Sequence, residues 1–117
     1  MRIEIRGRNI VITDEVRRQV ALGMRPIEPQ VAPQARCEFV LSEEANPAIA
    51  DRFVAEARLH LKGVTLHAHE ASPEMGRTVH SLIEDMRRQV KKYREKRRGR
   101  TRARRMAARA RKGRRIA

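Results

Sequence analysis

The sequence predicts an α+β fold of order β-α-β-β-β-α: a sandwich with two helices on one face of a four-stranded sheet, followed by a basic C-terminal tail. Three observations carry this. Four stretches alternate apolar and polar side chains with period two, as a strand with one buried face requires. Two stretches repeat apolar residues at spacings of three and four, as an amphipathic helix requires. The last twenty or so residues are dense in Arg and Lys, with no apolar period that could build a core.

The first strand covers Met1–Arg6, where Ile3 and Ile5 alternate with Arg2, Glu4 and Arg6, and Gly7-Arg8-Asn9 breaks it. Thr13 is placed to cap a helix whose first turn carries Asp14 and Glu15, acids that suit its positive end. Val16, Val20 and Met24 recur at i, i+4 and i+8, so this helix runs from about 14 to 24, stopped by Gly23 and Pro26. Pro29 and Pro33 keep the connection irregular. Ala35, Cys37, Phe39 and Leu41 alternate with Arg36, Glu38, Val40 and Ser42 in a second strand, and Asn46-Pro47 marks a turn in the loop that follows.

Phe53, Ala55, Ala57, Leu59 and Leu61 then alternate with Val54, Glu56, Arg58, His60 and Lys62. Beyond Gly63, the residues Val64, Leu66 and Ala68 continue the pattern, which reads as an antiparallel hairpin. A turn at Lys62-Gly63 pairs residues whose numbers sum to 125, so His67 opposes Arg58 and His69 opposes Glu56. Ser72-Pro73-Glu74 is a helix start, with a capping hydroxyl, a proline at the first helical position and an acid. Met75, Val79, Leu82, Ile83, Met86, Val90 and Tyr93 form the apolar stripe of one long helix that ends near Gly99. Residues 1–98 are thus the folded domain and 99–117 a basic tail, disordered because dense positive charge repels itself, with helix propensity at Met106-Ala107-Ala108 for RNA to bring out.

The chain of 117 residues carries 28 Lys and Arg against 14 Asp and Glu, a net charge of +14. Twelve of those bases, and no acid, fall in residues 96–117. Taking 12 from 28 leaves 16 bases against 14 acids in residues 1–95, a net +2. The basic character therefore belongs to the end of the chain, and its partner is a polyanion. Residues 1–12 do not have the pattern of a signal peptide, and no apolar run reaches the ~18 residues of a membrane span. Cys37 is the only cysteine, so no disulfide forms within the chain, which fits a reducing cytosol.

The strongest candidate site is the outer face of the last helix: Arg87, Arg88, Lys91, Lys92, Arg94, Lys96, Arg97 and Arg98. Residues 87, 91, 94 and 98 share one face, a ridge about 16 Å long that matches phosphates spaced along an RNA backbone. The alternative for this face is plain solvation, but only Glu84, Asp85 and Glu95 interrupt it. The tail adds Arg100, Arg102, Arg104, Arg105, Arg109, Arg111, Lys112, Arg114 and Arg115, a polyanion-binding segment that offers no large apolar face to a membrane. Phe39 and Phe53 occupy inward positions; of the aromatics only Tyr93 is placed to stack on a base, and its position on the apolar stripe favours packing, so recognition by shape and phosphate is expected over base stacking.

Other chemistry is poorly represented. His60, His67 and His69 gather on the outer strand face, but Arg58 beside them opposes a cation and no further ligand completes a metal set, so no metal is expected. Cys37 reads as a small buried hydrophobe. With no glycine-rich phosphate loop, Cys-x-x-Cys pair or Ser/His/Asp set, no enzyme, cofactor or small-molecule substrate is expected.

Four segments in order resemble the short ribosome hibernation-promoting factor and ribosome-associated inhibitor A family: Ile3-Glu4-Ile5-Arg6-Gly7-Arg8-Asn9-Ile10 with Thr13-Asp14, the hairpin Ala55–Ala68, Glu70-Ala71-Ser72-Pro73-Glu74-Met75, and Gln89-Val90-Lys91-Lys92-Tyr93-Arg94-Glu95-Lys96. The match spans roughly residues 1–98. Where family members often carry an alanine-rich acidic stretch, this chain has Gly76-Arg77-Thr78-Val79-His80. The resemblance implies the same fold and binding to ribosomal RNA in the small subunit, where messenger and transfer RNA sit. It further implies that idle ribosomes are silenced and protected in stationary phase or stress, in the cytoplasm. Contact through the basic end of the last helix maps onto Arg87, Arg88, Lys91, Lys92 and Arg94. The protein is expected to be monomeric off the ribosome. Two rivals remain: a general RNA or DNA chaperone driven by the tail, and a metal-dependent sensor built on the histidines.

Overall fold

A computed structural model describes the backbone of residues 1–116 and the side chains of residues 1–110. Its elements follow in the order β1 (Arg2–Arg8), α1 (Asp14–Met24), a short 3-10 turn (Glu28–Gln30), β2 (Arg36–Glu43), β3 (Phe53–Leu61), β4 (Val64–Ser72) and α2 (Met75–Ile116). The four strands form one sheet in the order β1-β2-β3-β4. β1 and β2 are parallel, so the chain must cross from one end of the sheet to the other between them, and α1 makes that crossing. β2, β3 and β4 are antiparallel neighbours. α2 lies over β3 and β4 and against α1.

The core is the layer between sheet and helices. Cys37, Phe39, Leu41, Ala55, Ala57, Leu59 and Ala68 point into it from the strands, and Val20, Met24, Val79, Leu82, Met86 and Val90 from the helices. Small alanines on β3 let α2 approach the sheet closely. Phe39 is fully enclosed, but Phe53, the other residue read as core, is only half-buried at the start of β3, with the Arg52 guanidinium 5.9 Å from its ring centroid.

The hairpin register is the one the turn position requires: Arg58 faces His67, Glu56 faces His69, and Gly63 adopts φ 79° in the turn. Thr13 caps α1 by accepting from the Val16 amide at 3.2 Å. Several boundaries differ from expectation. β1 continues through Gly7 to Arg8 because pairing with Leu41 and Ser42 of β2 carries it on. Gly23 does not stop α1; it lies inside the helix, where a Cβ would come within 2.6 Å of Ile83 Cδ1. Its role is to let α1 and α2 touch.

Ser72 is the last residue of β4, not the cap of α2. Its hydroxyl accepts from the Glu74 amide at 3.2 Å and lies against Thr78 Oγ1, so it braces the strand-to-helix corner. The largest difference is at Gly99. The helix passes through it and continues to Ile116. One glycine costs only ~1 kcal/mol, and the flanking Arg, Lys, Ala and Met are good helix formers extending a helix already nucleated by packing. The projecting helix explains a radius of gyration of 19.4 Å, against about 13 Å for a compact domain of this length.

Candidate nucleic-acid interface

α2 holds its cations on a rigid axis and presents them in two settings. Arg87 and Arg88 each lie beside an acid one turn back, with Glu84 at 3.4 Å and Asp85 at 3.5 Å. Such exposed pairs are worth ~0–1 kcal/mol, so a phosphate exchanges for the carboxylate at little cost. Arg94 is half-buried and donates to Gln30 Oε1 at 3.1 Å, which fastens the helix to the 3-10 turn. Lys91, Lys92, Lys96, Arg97 and Arg98 are exposed and have no ion-pair partner among the described residues. The ridge that the sequence places at 87, 91, 94 and 98 is therefore one face in space, but its members differ: one is paired, one is tethered and two are free.

The expected tail cations through Arg109 are exposed along the same helix; by helical spacing Arg102, Arg105 and Arg109 continue the ridge, whereas Arg100 and Arg104 fall on the side of the apolar stripe. The side chains of Arg111, Lys112, Arg114 and Arg115 lie outside the described residues. Beyond Tyr93 the helix borders two open grooves. One runs beside Gln30 and is lined by Arg94, Arg98, Arg102 and Arg105. The other opens toward the hairpin turn. Sequence reasoning missed Gln30, Lys62 and Gln89. The first two meet α2 only through the fold. Gln89 ties α2 to β4 by donating to the His67 carbonyl, and its place between ridge and stripe gave no sign of that.

The open face of the sheet has a different character. Arg2, Arg6, Arg36 and Arg58 share it with Glu4, Glu38 and Glu56, and Arg2–Glu4 (3.4 Å) and Arg36–Glu38 (3.5 Å) pair there. It is a mixed-charge surface, unlike the single-sign ridge. The histidines belong to it: His60 Nε2 is 3.5 Å from Glu38 Oε2, and His69 Nε2 is 3.9 Å from Glu56 Oε1. Among the described residues no three His, Cys, Asp or Glu side chains are grouped to hold a metal. Burial, with a smaller push from Glu38, raises the Cys37 thiol from 9.0 to about 12, so a thiolate is not at hand near neutral pH. No described helix is long and apolar enough to cross a membrane.

The same arrangement of sheet and helices occurs in solved structures. The N-terminal domain of Thermus thermophilus Protein Y matches with a TM-score of 0.67 at 23% identity, over 80% of this chain and 99% of that one. A ribosomal subunit interface protein from Coxiella burnetii matches with a TM-score of 0.64 at 19% identity, over 81% of this chain and 99% of that one. At these identities the likeness establishes the fold. No curated protein sequence gives a significant match. The family model described as Sigma 54 modulation protein / S30EA ribosomal protein matches residues 3–98, which is the whole sheet with both helices as far as the end of the ridge. The chain belongs to the Sigma 54 modulation protein / S30EA ribosomal protein family.

Proposed function

We propose that this protein binds ribosomal RNA of the small subunit and silences idle ribosomes by occupying the space of messenger and transfer RNA. The observation that carries the proposal is the run Lys91, Lys92, Lys96, Arg97 and Arg98, unpaired among the described residues, on a helix whose axis is fixed by packing, in a chain of this family. A fixed row of cations selects a phosphate path of matching course, whereas mobile cations bind any polyanion. The mechanism is steric and requires no bond to be made or broken. Residues 1–98 act as the plug, and residues 99–117 add attraction for RNA at its edge. The setting is the cytoplasm, where the chain acts as a monomer that meets the subunit directly.

The test is co-sedimentation with vacant small subunits and with subunits preloaded with messenger and transfer RNA. The wild-type chain is expected on vacant particles and excluded from loaded ones. Arg87→Glu, Lys91→Glu and Arg98→Glu together, which spare the Arg94–Gln30 bond, are expected to abolish binding while leaving thermal stability within about 0.5 kcal/mol per exposed site. With about six phosphate contacts, the log–log dependence of affinity on salt has an expected slope of roughly −4 to −5. Equal binding to both particles would leave only a general nucleic-acid chaperone driven by the basic extension.

A further inference from the structure

The groove beside the hairpin turn has a composition that phosphate contact alone does not call for. Along the packed part of α2, the stripe Val79, Leu82, Ile83, Met86 and Val90 rests on the sheet. Tyr93 is the last of that stripe, and the turn at Lys62-Gly63 is where the sheet ends beneath it. Continuing the stripe by one and two turns reaches Arg97 and Arg100, which overhang open space. The groove so formed encloses about 760 Å³, within the range of sites that take nucleotide-sized ligands.

Its floor is apolar: the half-buried Tyr93 ring, Leu66, and Val64, which is 38% exposed. Its rim is cationic, from Lys62, Lys92, Lys96, Arg97 and Arg100, and among the described residues no carboxylate lines it. At Gly63 a Cβ would meet nothing within 4 Å, so the wall there is low and open.

An apolar floor that includes an aromatic ring, under a cationic rim, fits a ligand that joins a planar ring to a phosphate. We infer that this groove takes an unpaired nucleotide, its base stacked on Tyr93 and its phosphates on the rim. The inference rests on the ribosomal RNA reading and deepens it, from a helix that follows phosphates to a site that selects an unstacked base. A duplex keeps its ring faces covered and presents none to Tyr93. An acidic peptide would satisfy the rim but leave the floor unused.

Tyr93 can be watched directly, because the chain has one Tyr and no Trp. The full-length protein is titrated with hexauridylate and with an abasic ribose-phosphate strand of equal charge. Affinity and tyrosine fluorescence lifetime are followed together; the lifetime is insensitive to absorption by the bases. Hexauridylate is expected to shorten the lifetime and to bind more tightly than the abasic strand by roughly 5- to 150-fold, the range of one base–aromatic stack. Tyr93→Leu should bring both strands to the same affinity, and Tyr93→Phe should retain the preference.

Equal affinity of wild type for both strands, with an unchanged lifetime, would overturn the inference and leave a plain polyanion groove. That result needs no variant, so a misfolded Tyr93→Leu cannot obscure it. If the stack fails while wild type still sediments with vacant subunits, only the groove is lost. If the stack is seen but no subunit binding occurs, it is the ribosomal reading that falls.

Discussion

The two halves of α2 are helical for different reasons. From Met75 to Arg94 one side of the helix is pressed onto β3, β4 and α1, and Thr78, Val79, Leu82, Ile83, Met86 and Val90 are buried. From Glu95 to Ala110 every residue is exposed. The first half is stabilised by burial, at about 25 cal/mol per Å² of apolar surface. The second depends on intrinsic propensity and on cations near a helix C-terminus, against like-charge pairs such as Arg98/Arg102 and Arg100/Arg104 that cost ~0.2–0.5 kcal/mol each. A polyanion removes that repulsion. The half that folds by packing sets direction, and the half that lacks packing gains most from a ligand.

This contrast can be broken at a single methionine in each half. Met86→Ala, at a fully buried site, should lower unfolding free energy by about 2–5 kcal/mol in denaturant titration. Met106→Ala, at a site 64% exposed, should stay within about 0.5 kcal/mol. Similar losses at both positions would mean that the projecting half is covered in solution.

The contact between α1 and the packed half is sharpened by Gly23→Ala. The added methyl meets Ile83 Cδ1 at 2.6 Å, so an overpacking loss of about 1–3 kcal/mol is expected. Ile83→Val removes the atom in the way and should recover part of that loss in the double variant. Strict additivity would show that the helices do not touch there.

A further effect is confined to alkaline pH. The folded state holds the Cys37 proton up to about 12, whereas the unfolded chain releases it near 9.0. Between those values the unfolded state binds fewer protons, so stability is complete below the lower one and falls as pH rises, by at most ~1.4 kcal/mol per pH unit. Comparison of wild type with Cys37→Ala isolates this slope; identical slopes would mean that the thiol reaches water. The smallest effect is expected from ending the chain at Arg98, which should leave the unfolding midpoint nearly unchanged, as no core residue among those described lies beyond. Affinity for vacant subunits should fall and exclusion from loaded ones remain, and a truncated chain that failed to fold would refute the division into plug and extension.

The local patterns were legible because each rests on near neighbours. Period-two alternation located β2 and β3 to within a residue and the start of β4, though β4 runs on past Ala68 to Ser72, and Lys62-Gly63 set the hairpin register. The α2 stripe and the ridge beside it follow from helical spacing alone. Gly23 and Gly99 misled for opposite reasons. Glycine was taken as a stop in both places, yet at 23 it answers to Ile83 across the helix contact, and at 99 a nucleated helix absorbs its cost.

By itself the sequence determined the elements, the inward face of each and the sign of the partner, since these depend on side chains within a turn or two of one another. The parallel pairing of β1 with β2, the fastening of Arg94 by Gln30, and the meeting of Tyr93 with the end of the hairpin were decided only by the tertiary structure. Each joins residues about thirty or more positions apart, and no local periodicity records which distant surfaces a packed core will bring together.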